Sequence, residues 1–296
     1  MLELNRKWTK ELQWFVFVVP ALFFYLGFFL LPTLSSTYYS LTDWDGLNSK
    51  FIGLSNYKEM FQDRKILASI NNTLLFTVSN TILQNLLGLM AALILVKKLA
   101  GVNIMRTIVF MPVIFSTLLI GYVWGFILEP NIGVVNNVLD ALGLSQFKMG
   151  WLSDPQVARW MIVLMTVWQH LGYSMVIFIA GIQGIPKELY ESGDIEGVTR
   201  SQKFLHITFP LLAPSVTINI ILCLIGNLKI FDQIYALTGG GPGYATESVA
   251  SMIYQLGFGN GIRWGYGSAL SVSLFLSILV LTIIMVTFLR KREVEM

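Results

Sequence analysis

The sequence predicts an all-α membrane protein with six transmembrane helices and both termini on the cytoplasmic side. Three observations predict it. The 296 residues hold 20 basic and 17 acidic side chains, and these leave six stretches without any charge: 12–42, 66–96, 107–128, 160–186, 204–228 and 264–289. A bilayer core takes roughly 20 apolar residues as helix. The shortest window has 22 residues, whereas the next longest charge-free gap, 248–262, has 15. Hydrophobic residues make up 55% of the chain, and with six windows of spanning length this excludes a soluble enzyme, a disordered chain and a nucleic-acid binder. The Lys/Arg bias sets the orientation. The termini and the loops near 97–106 and 187–206 carry 12 basic residues against 8 acidic ones, while the other side carries 8 against 9.

The first span covers about 13–34. Its apolar run from Trp14 to Leu34 contains Pro20 and Pro32 and is too long for a signal-peptide core, so it reads as a retained span. An outer segment, 35–65, follows, in which Phe51–Tyr57 leads into a short amphipathic helix, 56–62. The second span, 70–96, stops at Lys97 and Lys98, cations suited to a helix C-terminus at a membrane face. Its amides Asn71, Asn72, Asn80, Gln84 and Asn85 should face protein or water, because hydrocarbon offers them no partner. Gly88, Ala91 and Ala92, like Ser271, Ser273 and Ser277 in the last span, should permit close helix packing. The third span is 107–128, with Pro112 one turn in. A second outer segment, 129–158, ends at Asp154-Pro155, a helix start, and the fourth span runs over 157–182. The fifth covers 212–231. An outer loop, 232–262, holds the run Gly239–Gly243, read as flexible. The sixth, 265–289, stops on Arg290-Lys291-Arg292.

The loop between the fourth and fifth spans is more than a connector. Pro186 supplies a fixed φ at a helix start, and Glu188, Glu191, Asp194 and Glu196 place negative charge in its turns. Leu189, Tyr190, Ile195 and Val198 add apolar surface. Gly197 breaks this helix. Thr199 and Gln202 make a capping box for a second short helix, 200–208, which Pro210 ends. The product is a helix–turn–helix outside the bilayer, suited to docking.

Glu191-Ser192-Gly193, then Gly197, Ile207 and Phe209-Pro210 resembles the E-A-A-x3-G-x9-I-x-L-P loop of importer-type ABC permeases, with every anchor in register. Ser192 and Gly193 stand where that family has alanines, and Phe209 where it has leucine. The stretch Phe231–Pro242 with Ile253–Gln255 is similar to the segment after the fifth core helix in carbohydrate-uptake permeases of the maltose and glycerol-3-phosphate type. Phe51–Tyr57 and Asn72–Phe76 look like that family's N-terminal region. The resemblance, covering about 50–290, implies the type I importer fold: an N-terminal helix and outer segment at 1–68, a transport core at 69–290 with its coupling loop at 186–210, and a tail at 291–296.

The resemblance also implies a mechanism and partners. The chain would be a sugar-importer permease paired with a second, similar permease in the bacterial cytoplasmic membrane. An ATPase dimer would hold the ATP-Mg, and an external solute-binding protein would deliver the solute. This chain would bind no cofactor itself. Coupling would fall to Glu188, Glu191, Ser192, Gly193, Asp194, Gly197, Ile207 and Pro210, with Glu191 as the docking glutamate and Gly197 as the bend. Substrate contacts would cluster at Asn227–Phe231, with Asn219 two turns earlier. The other candidates are Trp168, Gln169, Tyr173, Tyr122 and Trp124, as hydrogen-bonding or aromatic groups within spans. Lys229 and Asp232 are spaced to pair across one turn, or Lys229 to attract an anionic sugar.

Other chemistry is absent. There is no P-loop sequence, and His170 and His206 lie on different segments, so no metal or nucleophile cluster is expected. Cys223 is a buried hydrophobe. An ion-driven secondary transporter would want ionisable residues deep in the spans and inverted repeats, and the sequence has neither. Uptake of a non-sugar or anionic solute such as glycerol-3-phosphate is the alternative within the class.

Overall fold

The computed structural model describes residues 16–97, 100–259 and 262–291. Trp14, Lys98 and the terminal charges Glu3, Arg6, Lys7, Lys10, Glu11, Arg292, Glu293 and Glu295 lie outside the described residues. Helices are numbered in chain order. Four continuous ones are long and apolar enough to cross a bilayer: α1 (Val16–Tyr39), α3 (Arg64–Leu95), α7 (Pro155–Gln183) and α13 (Trp264–Arg290). Two bent pairs pass the same test when each is one span: α4 (Val102–Ile114) with α5 (Thr117–Ile127), and α9 (Arg200–Leu211) with α10 (Ala213–Leu228). Shorter helices are α2 (Ser55–Met60), α6 (Val134–Ala141), α8 (Lys187–Ile195), α11 (Asp232–Leu237) and α12 (Val249–Phe258). Among the described residues, extended pairing is limited to one isolated bridge, Thr42–Phe51. The fold is all-α, as the charge-free windows predict.

Three expectations are corrected. The third window is not one straight helix: α4 and α5 meet at 98°. The break follows Pro112, and Phe115 and Ser116 adopt extended backbone angles. Gln169 answers the break from α7, its amide donating to the Phe115 carbonyl at 3.4 Å and to Thr117 Oγ1 at 3.1 Å. Second, Pro210 does not end the short helix of the polar loop. The helix passes through a π-turn, Phe204–Thr208, and α9 continues to Leu211 before bending 63° into α10. Third, the segment 232–262 contains α11 and α12 rather than a plain loop.

The chain divides into two compact units, 1–62 with 253–274, and 63–252 with 275–296. In the first, Tyr39 stacks on Trp44 with centroids 3.9 Å apart, and the Gly265 amide donates to the Trp44 carbonyl at 2.8 Å. Gly46, at φ +102°, lies under the Trp264 ring, where a Cβ would collide. Arg263 pairs with both carboxylate oxygens of Glu59, at 2.6 and 2.7 Å. The α1 side chains in the apolar window are exposed, as lipid contact requires.

The second unit is built on α3 against α7. Lipid tails are as apolar as leucine, so close packing and inter-helix hydrogen bonds, rather than water exclusion, must hold such helices together. Both are present. Ser69, Asn72, Thr73, Asn80, Gln84 and Gly88 fall at three- and four-residue spacing on one buried face of α3. A Cβ on Gly88 would come within 2.5 Å of Ser174 Cβ on α7. The buried cluster around Phe76, Ile162, Met165 and Ile234 lies on one part of this face, and a second, with Ala92, Met175, Phe178 and Leu212, on another. Of the five amides expected to avoid lipid, Asn72, Asn80 and Gln84 are buried and Asn85 half-buried; Asn71, near the start of α3, is exposed.

Candidate transport path and coupling surface

The polar loop folds as a unit. Thr199 and Gln202 form the expected capping box at the start of α9. Gly197, at φ +72°, makes the turn out of α8, and the Val198 amide donates back to the Gly193 carbonyl at 2.9 Å. Four contacts clamp α8 to α9. Gly193 is buried with its α-carbon facing Ile207 and Lys203; Tyr190 Oη and Thr208 Oγ1 are 3.0 Å apart; and Lys203 pairs with Asp194. Gly193 and the loop's sequence anchors Gly197 and Ile207 therefore make the α8–α9 elbow. Glu188, Glu191, Ser192 and Asp194 are exposed, Pro210 is half-buried in the last turn of α9, and neither Glu188 nor Glu191 joins an ion pair among the described residues. A groove of about 340 Å³ runs along the elbow, lined by Leu189, Ser192, Glu196 and His206 among others. A short, rigid, acidic knob beside a groove is a docking shape.

A second feature lies within the bundle. Three helices meet around a cavity of about 160 Å³: α3 contributes Gln84, α7 His170, Tyr173 and Ser174, and α10 Leu222, Cys223, Gly226 and Asn227, with Gln233 from α11. An amide ladder fixes the wall. Asn80 Nδ2 donates to Asn227 Oδ1 at 3.0 Å, Asn227 Nδ2 donates to the Cys223 carbonyl at 2.8 Å, and Asn219 Nδ2 donates to Asn85 Oδ1 at 2.9 Å. Of these amides Asn227 lines the cavity, together with Gln84 and Gln233, while Tyr173 supplies an aromatic face. Such a lining suits a hydroxyl-rich solute. The volume is below the roughly 300–1,000 Å³ of a complete ligand pocket.

The predicted path residues divide. Asn227 and Tyr173 line the cavity, and Asn219 is buried beside it. Gln169 lies at the α4–α5 break, where its amide donates to Phe115 and Thr117. Trp168 lies 5.8 Å from the Trp124 ring, and Tyr122 is 52% exposed on α5. Phe231 stacks on Tyr235 at 5.4 Å. Lys229 and Asp232 are exposed and form no ion pair among the described residues. Lys229 caps α10 whereas Asp232 opens α11, so the two share no helical turn. His170, Ser174, Gly226 and Gln233 went unnoticed as site residues. The spacing of His170, Tyr173 and Ser174 puts them on one face of α7, a signal that could have found them.

The glycine-rich run is a built turn, not a flexible loop. Gly239, Gly240 and Gly243 have positive φ, and Thr246 Oγ1 donates to the Gly241 carbonyl at 2.7 Å. Buried Glu247, which sequence reasoning missed, accepts from Ser251 Oγ and packs against Gly240, where a Cβ would strike it. Asn72 Nδ2 donates to the Glu247 carbonyl at 2.9 Å, and Arg159 Nε to the Ala245 carbonyl at 2.7 Å, which latches the turn to α3 and α7. The fold brings no group of three or more potential metal ligands together among the described residues.

A family described as "Binding-protein-dependent transport system inner membrane component" matches residues 84–294. The chain is 36% identical to the probable starch degradation products transport system permease protein AmyD of Thermoanaerobacterium thermosulfurigenes, over 98% of both chains. It is 34% identical to the trehalose/maltose transport system permease protein MalF of Thermococcus litoralis, over 94% of both. Its fold is similar to that of a bacterial ABC transporter involved in the import of the acidic polysaccharide alginate, with a TM-score of 0.86, 24% identity, and coverage of 98% of this chain and 99% of that one.

Proposed function

The chain belongs to the family of binding-protein-dependent transport system inner membrane components, and we propose that it is the permease subunit of an ATP-driven importer for a mono- or oligosaccharide. It is a transport subunit, not an enzyme. The observation that carries the reading is the α8–α9 elbow: a preformed, exposed acidic knob at the foot of α10. The sugar class is supported by the amide, hydroxyl and aromatic lining of the cavity and by the solutes named for the starch-product and trehalose/maltose relatives.

In this reading a second, similar permease completes the partial cavity, an ATPase dimer holding ATP-Mg docks on the elbow, and a solute-binding protein delivers the sugar from outside. The core at 69–290 lies in the cytoplasmic membrane with both termini inside; 1–68 supplies the N-terminal helix and outer segment, and 291–296 the tail. Glu191 meets a basic residue of the ATPase, with Glu188 and Ser192 beside it. When ATP closes the ATPase dimer, the elbow moves as one body because Gly193, Ile207 and the Asp194–Lys203 pair clamp it. α9 passes that motion through the bend at Leu212 to α10. Helix α10 carries Asn219, Cys223 and Asn227, so its displacement reshapes the cavity wall and alternates access. The chain's own polar groups act by hydrogen bonding and desolvating the sugar, and no bond is made or broken here.

Glu191→Lys tests the docking role. Uptake of sugar into cells should be abolished while the protein remains in the membrane at its usual level; normal uptake by that variant would remove the docking assignment.

A further inference from the structure

A recess of about 670 Å³ opens between the end of α3, the end of α7 and the elbow, away from the cavity in the bundle. Its lining has two halves. Lys97, Arg200 and Lys203 supply cations, while Val96, Ile182 and Phe204 stand for an apolar floor. Lys203 is already paired with Asp194; Lys97 and Arg200 are exposed and join no ion pair among the described residues. Lys97 follows directly on α3, where a span leaves hydrocarbon, so the recess sits at the boundary between tails and water. A soluble anion would satisfy the cations and leave the apolar floor against water. A neutral lipid would cover the floor and leave two cations unanswered.

The geometry points to a binding site for one anionic phospholipid, its phosphate between Lys97 and Arg200 and its chains along Val96, Ile182 and Phe204. The volume falls within the range of small-molecule sites, and basic pockets between span ends are where anionic head groups bind. Lys97 belongs to a span and Arg200 to the elbow, so a bound head group ties the moving element to the bundle. Anionic lipid would thereby steady the elbow in its docking position. That the recess faces the cytoplasmic leaflet rests on the transport reading; the lipid chemistry does not.

The test measures phosphatidylglycerol binding to the purified transporter complex by native mass spectrometry. At ~1 kcal/mol per basic group, neutralising one cation should weaken binding about 5-fold, and Lys97→Gln with Arg200→Gln about 30-fold. Lys97→Arg with Arg200→Lys should keep it, which separates charge loss from misfolding. Phosphatidylcholine and free glycerol phosphate should bind far more weakly than phosphatidylglycerol. Unchanged affinity in the double Gln variant, equal binding of phosphatidylcholine, or equal binding of free glycerol phosphate would each overturn the site. Glu191→Lys should leave lipid binding intact, so a failure of the docking reading and a failure of the lipid site give different results.

Discussion

The contact between α3 and α7 can be tested by exchanging one carbon atom. A Cβ added at Gly88 would lie 2.5 Å from Ser174 Cβ and 3.2 Å from the Met175 amide nitrogen. Carbon atoms rest at about 3.5–4.0 Å, so Gly88→Ala must part the helices by roughly 1 Å, and overpacking of this kind costs about 1–3 kcal/mol. Ser174→Gly alone removes the opposing carbon and loses roughly 0.5 kcal/mol of helix propensity. Together the two substitutions move the carbon from one helix to the other. The double variant should therefore fall near the Ser174→Gly value, with a favourable coupling of about 1–3 kcal/mol between the sites. Ser174→Ala keeps the Cβ and should give no rescue. Unfolding titrations of the purified transporter in mixed micelles measure the cycle, and uptake should follow it, because Gln84 and Ser174 line the same cavity. Additive costs, or rescue by Ser174→Ala, would refute the packing argument.

Three further outcomes follow from local geometry. A Cβ at Gly193 would sit 3.5 Å from Ile207 Cδ1 and from Lys203 Cε, ordinary contact. Gly193→Ala should therefore stabilise the elbow by ~0.5–1 kcal/mol and slow its proteolysis without loss of uptake. Gly197 is at φ +72° with open space around it, so its substitution cost is conformational, ~1–2 kcal/mol for Val and less for Asn. Uptake should fall in that order, and equal effects would show that the turn is not strained. Glu129 accepts from the amides of Ile132, at 2.6 Å, and Asn131, at 2.7 Å, and these bonds hold its carboxyl below the usual range. A depressed folded value means stabilisation that is present above the ordinary carboxylate range and lost as pH falls through the folded one. Hydrogen exchange at Asn131 and Ile132 should quicken only in acid, and Glu129→Gln should abolish that pH dependence.

The spans were legible because their signal is one-bodied. A charge in hydrocarbon is unfavourable whatever its neighbours, so its absence over 66–96 or 160–186 needs no partner to be read. The elbow was legible for a related reason: Thr199, Gln202 and Gly197 act on backbone within four residues of themselves. What stayed hidden depends on residues far apart in sequence. Pro112 marks the third span as breakable, but the site of the break is settled by Gln169, some fifty residues on, which satisfies the Phe115 carbonyl. An amide within a span has two uses, and the sequence alone does not show that Gln169 Nε2 serves the break. Gly239–Gly243 reads as slack until Glu247, Thr246 and Asn72 are seen to fasten it.

These failures share a physical pattern that bears on mechanism. The hidden features, the α4–α5 break, the glycine turn and the amide ladder, all fix one helix relative to another through polar side chains, whereas the α8–α9 elbow is self-contained. A device that must move as a body while keeping its shape needs short-range bonds. The wall it moves needs long-range bonds that can be exchanged. Asn227 donates to the Cys223 carbonyl on its own helix at 2.8 Å; toward α3 it accepts from Asn80 Nδ2 at 3.0 Å and donates to Gln84 Oε1 only at 3.5 Å. The bond to Cys223 travels with α10, and of the two bonds from Asn227 to α3 the longer one, to Gln84, should yield first when α10 is displaced. Asn227→Leu would abolish all three, and uptake should be lost with the elbow still folded. Gln84→Leu, which removes only the yielding partner, should impair transport less. The reverse order would place the moving boundary elsewhere than between α3 and α10.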